Sequence, residues 1–355
     1  MLIMISKEDM FTLYHQLFGD YLWQDSVTEI YLNGDCSLWI DDTKSGITKV
    51  QDKIERSVAI KFWNIIREIY PNQQSDLIIE GELPYFKARL ECLHKPLFEG
   101  DGDIIFSVRK QAITVFTLQS YKDSGVLVPI KGTIRTKADI IKDGKVSFRH
   151  PIDVISDAVL RKKNILVVGG TGSGKTTLTN AILAEIASLT PGDRVITIED
   201  TLELQINVQN KLSLRTDRNI DIRELLRCCM RLHPNRIVVG EVRGGEAYSL
   251  LKAWNSGHPG GVATLHANSA SEALEKLSHY IFEDSVARSF NQDVVGRMIA
   301  GSVDLVIVIE YSHEYQTKRR VTEICEVKGY LNGRYNLSVL VHQSLTGLCE
   351  FKPQI

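Results

Sequence analysis

A glycine-rich run ending in Lys175-Thr176-Thr177 constrains this chain more than any other feature of its sequence. It follows the short apolar segment Ile165–Val168 and opens a helical pattern, which is the setting that a phosphate-binding loop requires. Glycines let successive backbone N–H groups point at phosphate oxygens, and the start of the helix adds positive potential there. The residues predicted to bind ATP are Gly169, Gly170, Thr171, Gly172, Ser173, Gly174, Lys175, Thr176 and Thr177.

Within this loop two side chains have distinct predicted roles. Lys175 is expected to reach the β- and γ-phosphates, and the hydroxyl of Thr176 is expected to bind Mg²⁺. ATP and Mg²⁺ are therefore the predicted cofactors.

Short apolar runs alternate with helical patterns through the second half of the chain. The runs are Ile165–Val168, Val195–Ile198, Ile237–Val239, Val262–Leu265 and Leu305–Ile309. All-apolar strands of this length are typical of a parallel sheet that is covered on both faces. The alternation predicts an α/β domain over residues 151–355, with a doubly wound, mainly parallel sheet. A hairpin with its turn at Asn332-Gly333 is predicted near the end of this domain.

The first third of the chain has a different pattern. Helices are predicted at Lys7–Leu22 and Val58–Tyr70, and a hairpin is predicted around Asn33-Gly34. Strands are predicted near Leu77–Ile79, Phe86–Glu91 and Ile104–Val108. This order predicts a smaller α+β domain over residues 1–112. The polar and basic residues from Lys122 to Arg149 predict a connecting segment over 113–150.

Charge and cysteine content argue against several classes of protein. The 42 basic and 44 acidic residues give a net charge of −2, so no overall field favours nucleic acid, and direct sequence-specific nucleic-acid binding is not expected. The six cysteines form no C-x-x-C pair, which argues against a zinc site or a disulfide scaffold. No signal peptide and no membrane-spanning run is present, which predicts a cytoplasmic protein held at a membrane only by its partners.

Two acidic side chains follow predicted strands on the side of the sheet where ligands bind. Glu241 ends the run Ile237-Val-Val-Gly-Glu and is expected to direct Mg²⁺, to activate water, or both. The predicted metal-directing residues are therefore Thr176 and Glu241. Glu199 ends Val195-Ile-Thr-Ile-Glu and is expected to hold the attacking water in line with the γ-phosphate.

A histidine and several arginines complete the candidate catalytic set. His266 directly follows Val262–Leu265 and is predicted to sense the γ-phosphate, whereas His258 precedes that strand and is interpreted as a turn residue at the opposite edge. Arg89 and Arg109 lie near the ends of strands in the first domain. Arg243 follows Glu241. Any of these three could neutralise charge on a transferring phosphoryl group, and any could be a solvated surface charge.

Together these segments resemble the secretion-superfamily ATPases, the ring ATPases of type IV secretion and conjugation, type II secretion and type IV pili. The conjugative-transfer branch is the most similar. The resemblance is specific over residues 165–273 and weaker at 29–34 and 106–110. The segments that match the family's Walker A, Asp box, Walker B and His box are 165–180, 198–201, 240–247 and 264–269.

The resemblance implies a RecA-like ATPase domain preceded by a sensor-like α+β domain, and six identical chains in a ring. ATP would bind at the cleft between the domains, with Arg89 and Arg109 as phosphate-contacting residues. Hydrolysis would power conjugative DNA or protein transfer, or type IV secretion pilus assembly, at the cytoplasmic face of the inner membrane. The partners would be components of the inner-membrane machinery. The family usually has Arg-Pro-Asp where this chain has His233-Pro234-Asn235.

Other functions stay open on the sequence. A type II secretion motor commonly carries a four-cysteine zinc module that this chain lacks, but pilus retraction motors lack it too. A RecA-type nucleic-acid motor would need a basic groove with stacking aromatic residues. A scaffold that binds nucleotide without turnover is disfavoured because Glu199 and Glu241 are both present.

Overall fold

A computed structural model describes residues 6–51, 53–71, 75–111, 116–128, 130–131, 150–217, 219–315, 317–343 and 349–350 of the chain. The chain divides into two compact units, Met1–Thr114 and Val115–Ile355. Within the described ranges, no helix has both the length and the apolar character needed to cross a bilayer.

The first unit is an antiparallel six-stranded sheet with two helices. The strand order is β3-β2-β1-β6-β5-β4. Its elements are α1 (Lys7–Phe18), β1 (Val27–Leu32), β2 (Leu38–Asp42), β3 (Gly46–Gln51), α2 (Arg56–Ile69), β4 (Ile78–Glu82), β5 (Ala88–His94) and β6 (Ile104–Lys110). This confirms the predicted α+β architecture. Strand β3 was not predicted because it is a sheet edge whose residues are mostly exposed.

The core of the first unit explains why its helices lie against the sheet. Tyr14 and Phe18 of α1, Phe62 of α2 and Phe106 of β6 are buried together, and their rings contact one another. Helix α1 is shorter than predicted, because Gly19 takes a φ of +57° and the chain continues as a 3₁₀ helix to Trp23.

The second unit is a ten-stranded sheet in the order β10-β9-β11-β12-β8-β13-β14-β15-β16-β7. Its strands are β7 (Ile130–Lys131), β8 (Ile165–Val168), β9 (Val195–Glu199), β10 (Lys211–Arg215), β11 (Arg236–Val239), β12 (Val262–Leu265), β13 (Leu305–Tyr311), β14 (Arg319–Leu331), β15 (Arg334–Gln343) and β16 (Cys349–Glu350). Its helices are α3 (Leu118–Asp123), α4 (Pro151–Leu160), α5 (Lys175–Leu189), α6 (Ile222–Cys229), α7 (Glu246–Asn255), α8 (Ala270–Glu283) and α9 (Gln292–Ser302).

Both faces of this sheet are covered by helices. Strands β10, β9, β11, β12, β8 and β13 are parallel, and β13, β14 and β15 pair antiparallel. Leu166 and Val168 of β8 belong to the core beneath α6–α9, whereas Ile165 and Val167 belong to the core beneath α3–α5. The predicted doubly wound, mainly parallel sheet is confirmed, as is the hairpin at Asn332-Gly333.

Part of the segment predicted as a connector belongs to the second unit instead. Leu118, Tyr121, Val126 and Leu127 are buried in the core that α3, α4 and α5 share. Their apolar spacing was hidden by the polar composition of the surrounding segment. Residues 132–149 of the predicted connector lie outside the described part of the chain.

Candidate active site

The glycine-rich loop lies between the buried strand β8 and helix α5, as the sequence predicts. Gly174 has a φ of +97° and immediately precedes the first residue of α5. Only glycine adopts this conformation readily. A side chain at Gly169 would collide with the carbonyl oxygen of Ile309 and with the hydroxyl of Ser173. The loop therefore needs its glycines for two separate reasons, one conformational and one steric.

Lys175 is held inside the loop by backbone oxygens. Its Nζ donates to the carbonyls of Gly169 at 3.0 Å and Gly170 at 2.9 Å, and lies 3.2 Å from Nε2 of His266. The side chain is buried, so its charge is little screened by water. Thr176 and Thr177 follow in the first turn of α5 and are half-buried.

Strand order brings the other predicted residues to the same edge of the sheet. Strands β9, β11, β12 and β8 are adjacent and parallel, so the residues that follow them are neighbours. Nε2 of His266 lies 3.0 Å from Oε1 of Glu241. The three side chains of Lys175, His266 and Glu241 thus form a continuous chain of contacts. Lys175 and His266 are 91 positions apart, so the sequence alone could not reveal their contact.

Arg243 extends this chain of contacts. Its Nε donates to Oε2 of Glu241 at 2.8 Å, and its Nη1 lies 3.3 Å from Oδ2 of Asp200. The guanidinium therefore bridges carboxylates that follow two neighbouring strands. Its contact with Glu241 also orients that side chain, which is expected to hold a metal ion or accept a proton from water.

The protonation of His266 follows from its surroundings. Partial burial, and then the ammonium of Lys175, hold the pKa of His266 below its ordinary value, although the carboxylate of Glu241 acts in the opposite direction. The imidazole is therefore neutral near pH 7. A neutral ring can either accept from Lys175 or donate to Glu241 through Nε2, depending on its tautomer.

Glu199 lies deeper than the sequence suggests. Only 3% of it is exposed, and its Oε1 accepts backbone N–H groups of Glu203 at 2.8 Å and Leu204 at 2.9 Å. Its Oε2 is buried without a hydrogen-bond partner among the described residues. One oxygen thus fixes the loop after β9, and the other can take a further partner.

The glycine at position 240 is explained by Glu199. A Cβ at Gly240 would lie 3.0 Å from Cγ of Glu199. A larger residue there, including the aspartate that many phosphate-loop enzymes carry, would displace the Glu199 side chain. The contact therefore favours one carboxylate after β11, at Glu241, and a second one after β9.

Burial raises the pKa of Glu199 to about 7 from its ordinary 4.5. Because the folded state binds the proton more tightly, the protonated carboxyl stabilises the protein below pH 4.5, and this stabilisation is lost as the pH rises through 7. Glu199→Gln cannot ionise, so its stability should not fall over this pH range. Between about pH 5 and pH 8, we expect its thermal unfolding midpoint to rise relative to that of wild type. The corresponding gain in unfolding free energy is at most about 3 kcal/mol. Glu275→Gln, on the exposed side of α8, is the control. A midpoint difference independent of pH would contradict the prediction.

Arg89 and Arg109 lie in the first unit, side by side on β5 and β6. They are register partners, both are exposed, and Arg109 lies 3.5 Å from Glu29. Glu82 pairs with Arg89 and Glu29 pairs with Arg109, so the four form one charged row across the sheet. Their predicted role at the phosphates stays a prediction.

Two histidines lie in turns at the opposite edge of the sheet, where β11 and β12 begin. Nδ1 of His258 lies 2.9 Å from the carbonyl oxygen of Pro234, ahead of β12, which agrees with its interpretation as a turn residue. His233 has a φ of +53° in the turn that leads into β11. At the edge of the sheet that carries the phosphate loop, sequence reasoning missed the bridging position of Asp200, and no local pattern signals it.

The local chemistry fits a bound nucleotide with its metal ion. The cradle has glycine where a side chain would collide, and a lysine lies at its centre. The buried hydroxyl of Ser173 and Oε2 of Glu199 have no partner among the described residues. Polar atoms buried in this way call for a further partner, and a polyphosphate, its metal ion and its water supply such partners.

The fold and the site define a phosphate-loop nucleotide-binding protein of the α/β class. Beyond that class, the chain belongs to the type II/IV secretion system protein family, whose pattern matches residues 150–335. It is 36% identical over 311 residues to conjugal transfer protein TrbB of Rhizobium radiobacter, covering 87% of this chain and 86% of that protein. It is 30% identical over 327 residues to type IV secretion system protein PtlH of Bordetella pertussis, covering 87% and 93%.

Solved structures agree on the fold. The pilus retraction motor PilT with bound ADP has a TM-score of 0.56 at 16% identity, covering 97% of this chain and 85% of that one. The Legionella pneumophila ATPase DotB has a TM-score of 0.53 at 17% identity, covering 94% and 78%. This likeness confirms the predicted fold, a RecA-like ATPase domain preceded by a smaller α+β domain.

Proposed function

We propose that this protein hydrolyses ATP with Mg²⁺ and uses the energy to power conjugative transfer of DNA or protein, or type IV secretion. The observation that carries the ATPase part is the chain of contacts from Lys175 through His266 to Glu241 beside the phosphate loop. The transport part is supported by the relatives of 30% identity or more, which are named as conjugal transfer and type IV secretion proteins.

The side chains suit the steps of hydrolysis. Lys175 would bind the β- and γ-phosphates, and Thr176 and Glu241 would hold Mg²⁺, which would neutralise phosphate charge when bound. Glu241, held in place by Arg243, would also orient the attacking water. His266 contacts both Lys175 and Glu241. Loss of the terminal phosphate from Lys175 would therefore alter the position of His266 and, through it, that of the Glu241 carboxylate.

Glu199 has a different part in this proposal. Its Oε1 anchors the loop after β9, and its second oxygen is left to hold the attacking water or a water of the Mg²⁺ shell. Because burial raises its pKa to about 7, both protonation states are available near neutral pH. Such a group can accept and return a proton during turnover.

The working assembly in this proposal is a homohexamer that binds nucleotide at the phosphate loop of each chain. Six copies of the 40.0 kDa chain would act at the cytoplasmic face of the inner membrane, held there by components of the secretion or conjugation machinery. Family membership supports this arrangement.

The proposal is tested by measuring phosphate release from ATP by the full chain, with Mg²⁺ and with EDTA. We expect turnover that requires Mg²⁺, and mass photometry with ATP should show particles of six chains. Absence of turnover in both conditions would contradict the ATPase assignment. A monomer at every nucleotide concentration would contradict the ring.

A type IV pilus or type II secretion motor is the second candidate, and the likeness to PilT supports only its fold. Complementation separates the two. Restored plasmid transfer in a conjugation-deficient strain supports the proposal, whereas restored pilus retraction supports the alternative.

Arg89 provides a test of the first unit's part in catalysis. If it contacts the transferring phosphoryl group, Arg89→Ala should lower turnover by about a hundredfold or more, because arginines in this role contribute about 10³–10⁵. The far-ultraviolet circular dichroism should be unchanged, because the side chain is exposed. Arg56→Ala, at the exposed start of α2, is the matched control. If Arg89→Ala turned over ATP at the wild-type rate, Arg89 would be a solvated surface charge with no role in catalysis.

A further inference from the structure

Arg319 is the first residue of β14, and it is held in place by its partner across the sheet. It pairs with Tyr311 at the end of β13, and its guanidinium carbon lies 5.6 Å from the centre of the Tyr311 ring. This distance is within the range of a cation–π contact. Pairing and ring contact together hold this exposed arginine beside the carboxyl end of β13.

The carboxyl end of β13 lies next to the phosphate loop, because β13 runs parallel to β8, the strand from which the loop starts. Nε of Arg319 donates to the carbonyl oxygen of Gly172 at 3.2 Å. The Cδ of Arg319 lies 3.1 Å from the point that a Cβ at Gly174 would occupy. The arginine stem therefore fills the space that this loop glycine leaves open.

The contact with Gly172 determines the direction of the Ser173 N–H group. The Gly172 carbonyl and the Ser173 N–H belong to one planar peptide unit, in which the two bonds point in opposite directions. The Ser173 N–H points to the carbonyl of Gly170, 3.4 Å away, which also accepts from Nζ of Lys175. A donor on the outer side of this peptide thus holds its N–H on the side where Lys175 lies.

We propose that Arg319 is a positioning residue of the nucleotide site, fixing the 172–173 peptide so that the Ser173 N–H faces the bound phosphates. The inference rests on the proposed nucleotide binding and adds to it a residue from outside the four family segments. It assigns a role to the antiparallel extension of the sheet, since β14 supplies this residue to the loop.

The test is the dissociation constant of ADP with Mg²⁺, measured by calorimetry on the full chain. Arg319→Ala loses one hydrogen bond to the loop, so its dissociation constant for ADP should rise about fivefold to tenfold. Arg319→Lys keeps a charged donor and should recover affinity to within about twofold of wild type. Arg334→Ala, an exposed arginine at the start of β15, should bind as wild type does.

A second readout separates positioning from general stability. Arg319→Ala should raise the KM for ATP while kcat and the thermal unfolding midpoint stay near wild type. ADP affinity equal to wild type in Arg319→Ala, or an Arg319→Lys variant as weak as Arg319→Ala, would overturn the inference. So would a loss of affinity that follows a lowered unfolding midpoint. A wild-type protein that binds no nucleotide would contradict the proposed function itself.

Discussion

Lys175→Ala is expected to reduce ATP turnover by at least about a hundredfold, the loss that follows removal of one charge-stabilising donor from a catalytic site. The ammonium is buried and is held by the carbonyls of Gly169 and Gly170, so it is already placed where the loop curls around phosphate. Alanine removes that charge and also the contact with His266. The measurement is steady-state phosphate release at saturating ATP.

Two controls make the Lys175 result specific. Lys252→Ala removes an exposed lysine from the last turn of α7 in the same unit and should leave turnover unchanged. The thermal unfolding midpoint of Lys175→Ala should show that the chain still folds. If the folded variant turned over ATP near the wild-type rate, the phosphate-loop assignment would be wrong.

Glu241→Gln should separate binding from chemistry. Glutamine has nearly the same shape but no charge, so it can neither attract Mg²⁺ as strongly nor accept a proton from water. We expect hydrolysis to slow by about two orders of magnitude or more, while ATP affinity stays within about threefold of wild type. Binding of a fluorescent ATP analogue and phosphate release measure the two quantities separately.

The neighbours of Glu241 decide how this result is interpreted. Arg243 and His266 both contact the carboxylate, so an unfolded or rearranged site would also lose activity. Glu275→Gln, the same substitution on an exposed helix face, should leave both quantities unchanged. If Glu241→Gln instead failed to bind ATP, Glu241 would be assigned to the structure of the site and not to the chemical step.

Much of the second unit could be predicted because its signals are local. The strands of the parallel sheet are short apolar runs, and Ile165–Val168 and Val262–Leu265 have the predicted bounds. Glu199, Glu241 and His266 could be placed at one edge because ligand groups follow the carboxyl ends of parallel strands. The buried residues around Leu118 were missed because the segment that contains them is polar on average.

The sequence by itself determined that a phosphate loop lies between a buried strand and a helix, because the glycine spacing and the flanking periodicity are encoded within a few residues. The contacts between strand ends were decided only by the tertiary structure. The chain of Lys175, His266 and Glu241 depends on the order in which β11, β12 and β8 pair. Arg319 reaches the loop from 147 positions away, through the register of β13 and β14. Such pairings follow from how the whole sheet packs, and no short segment specifies them.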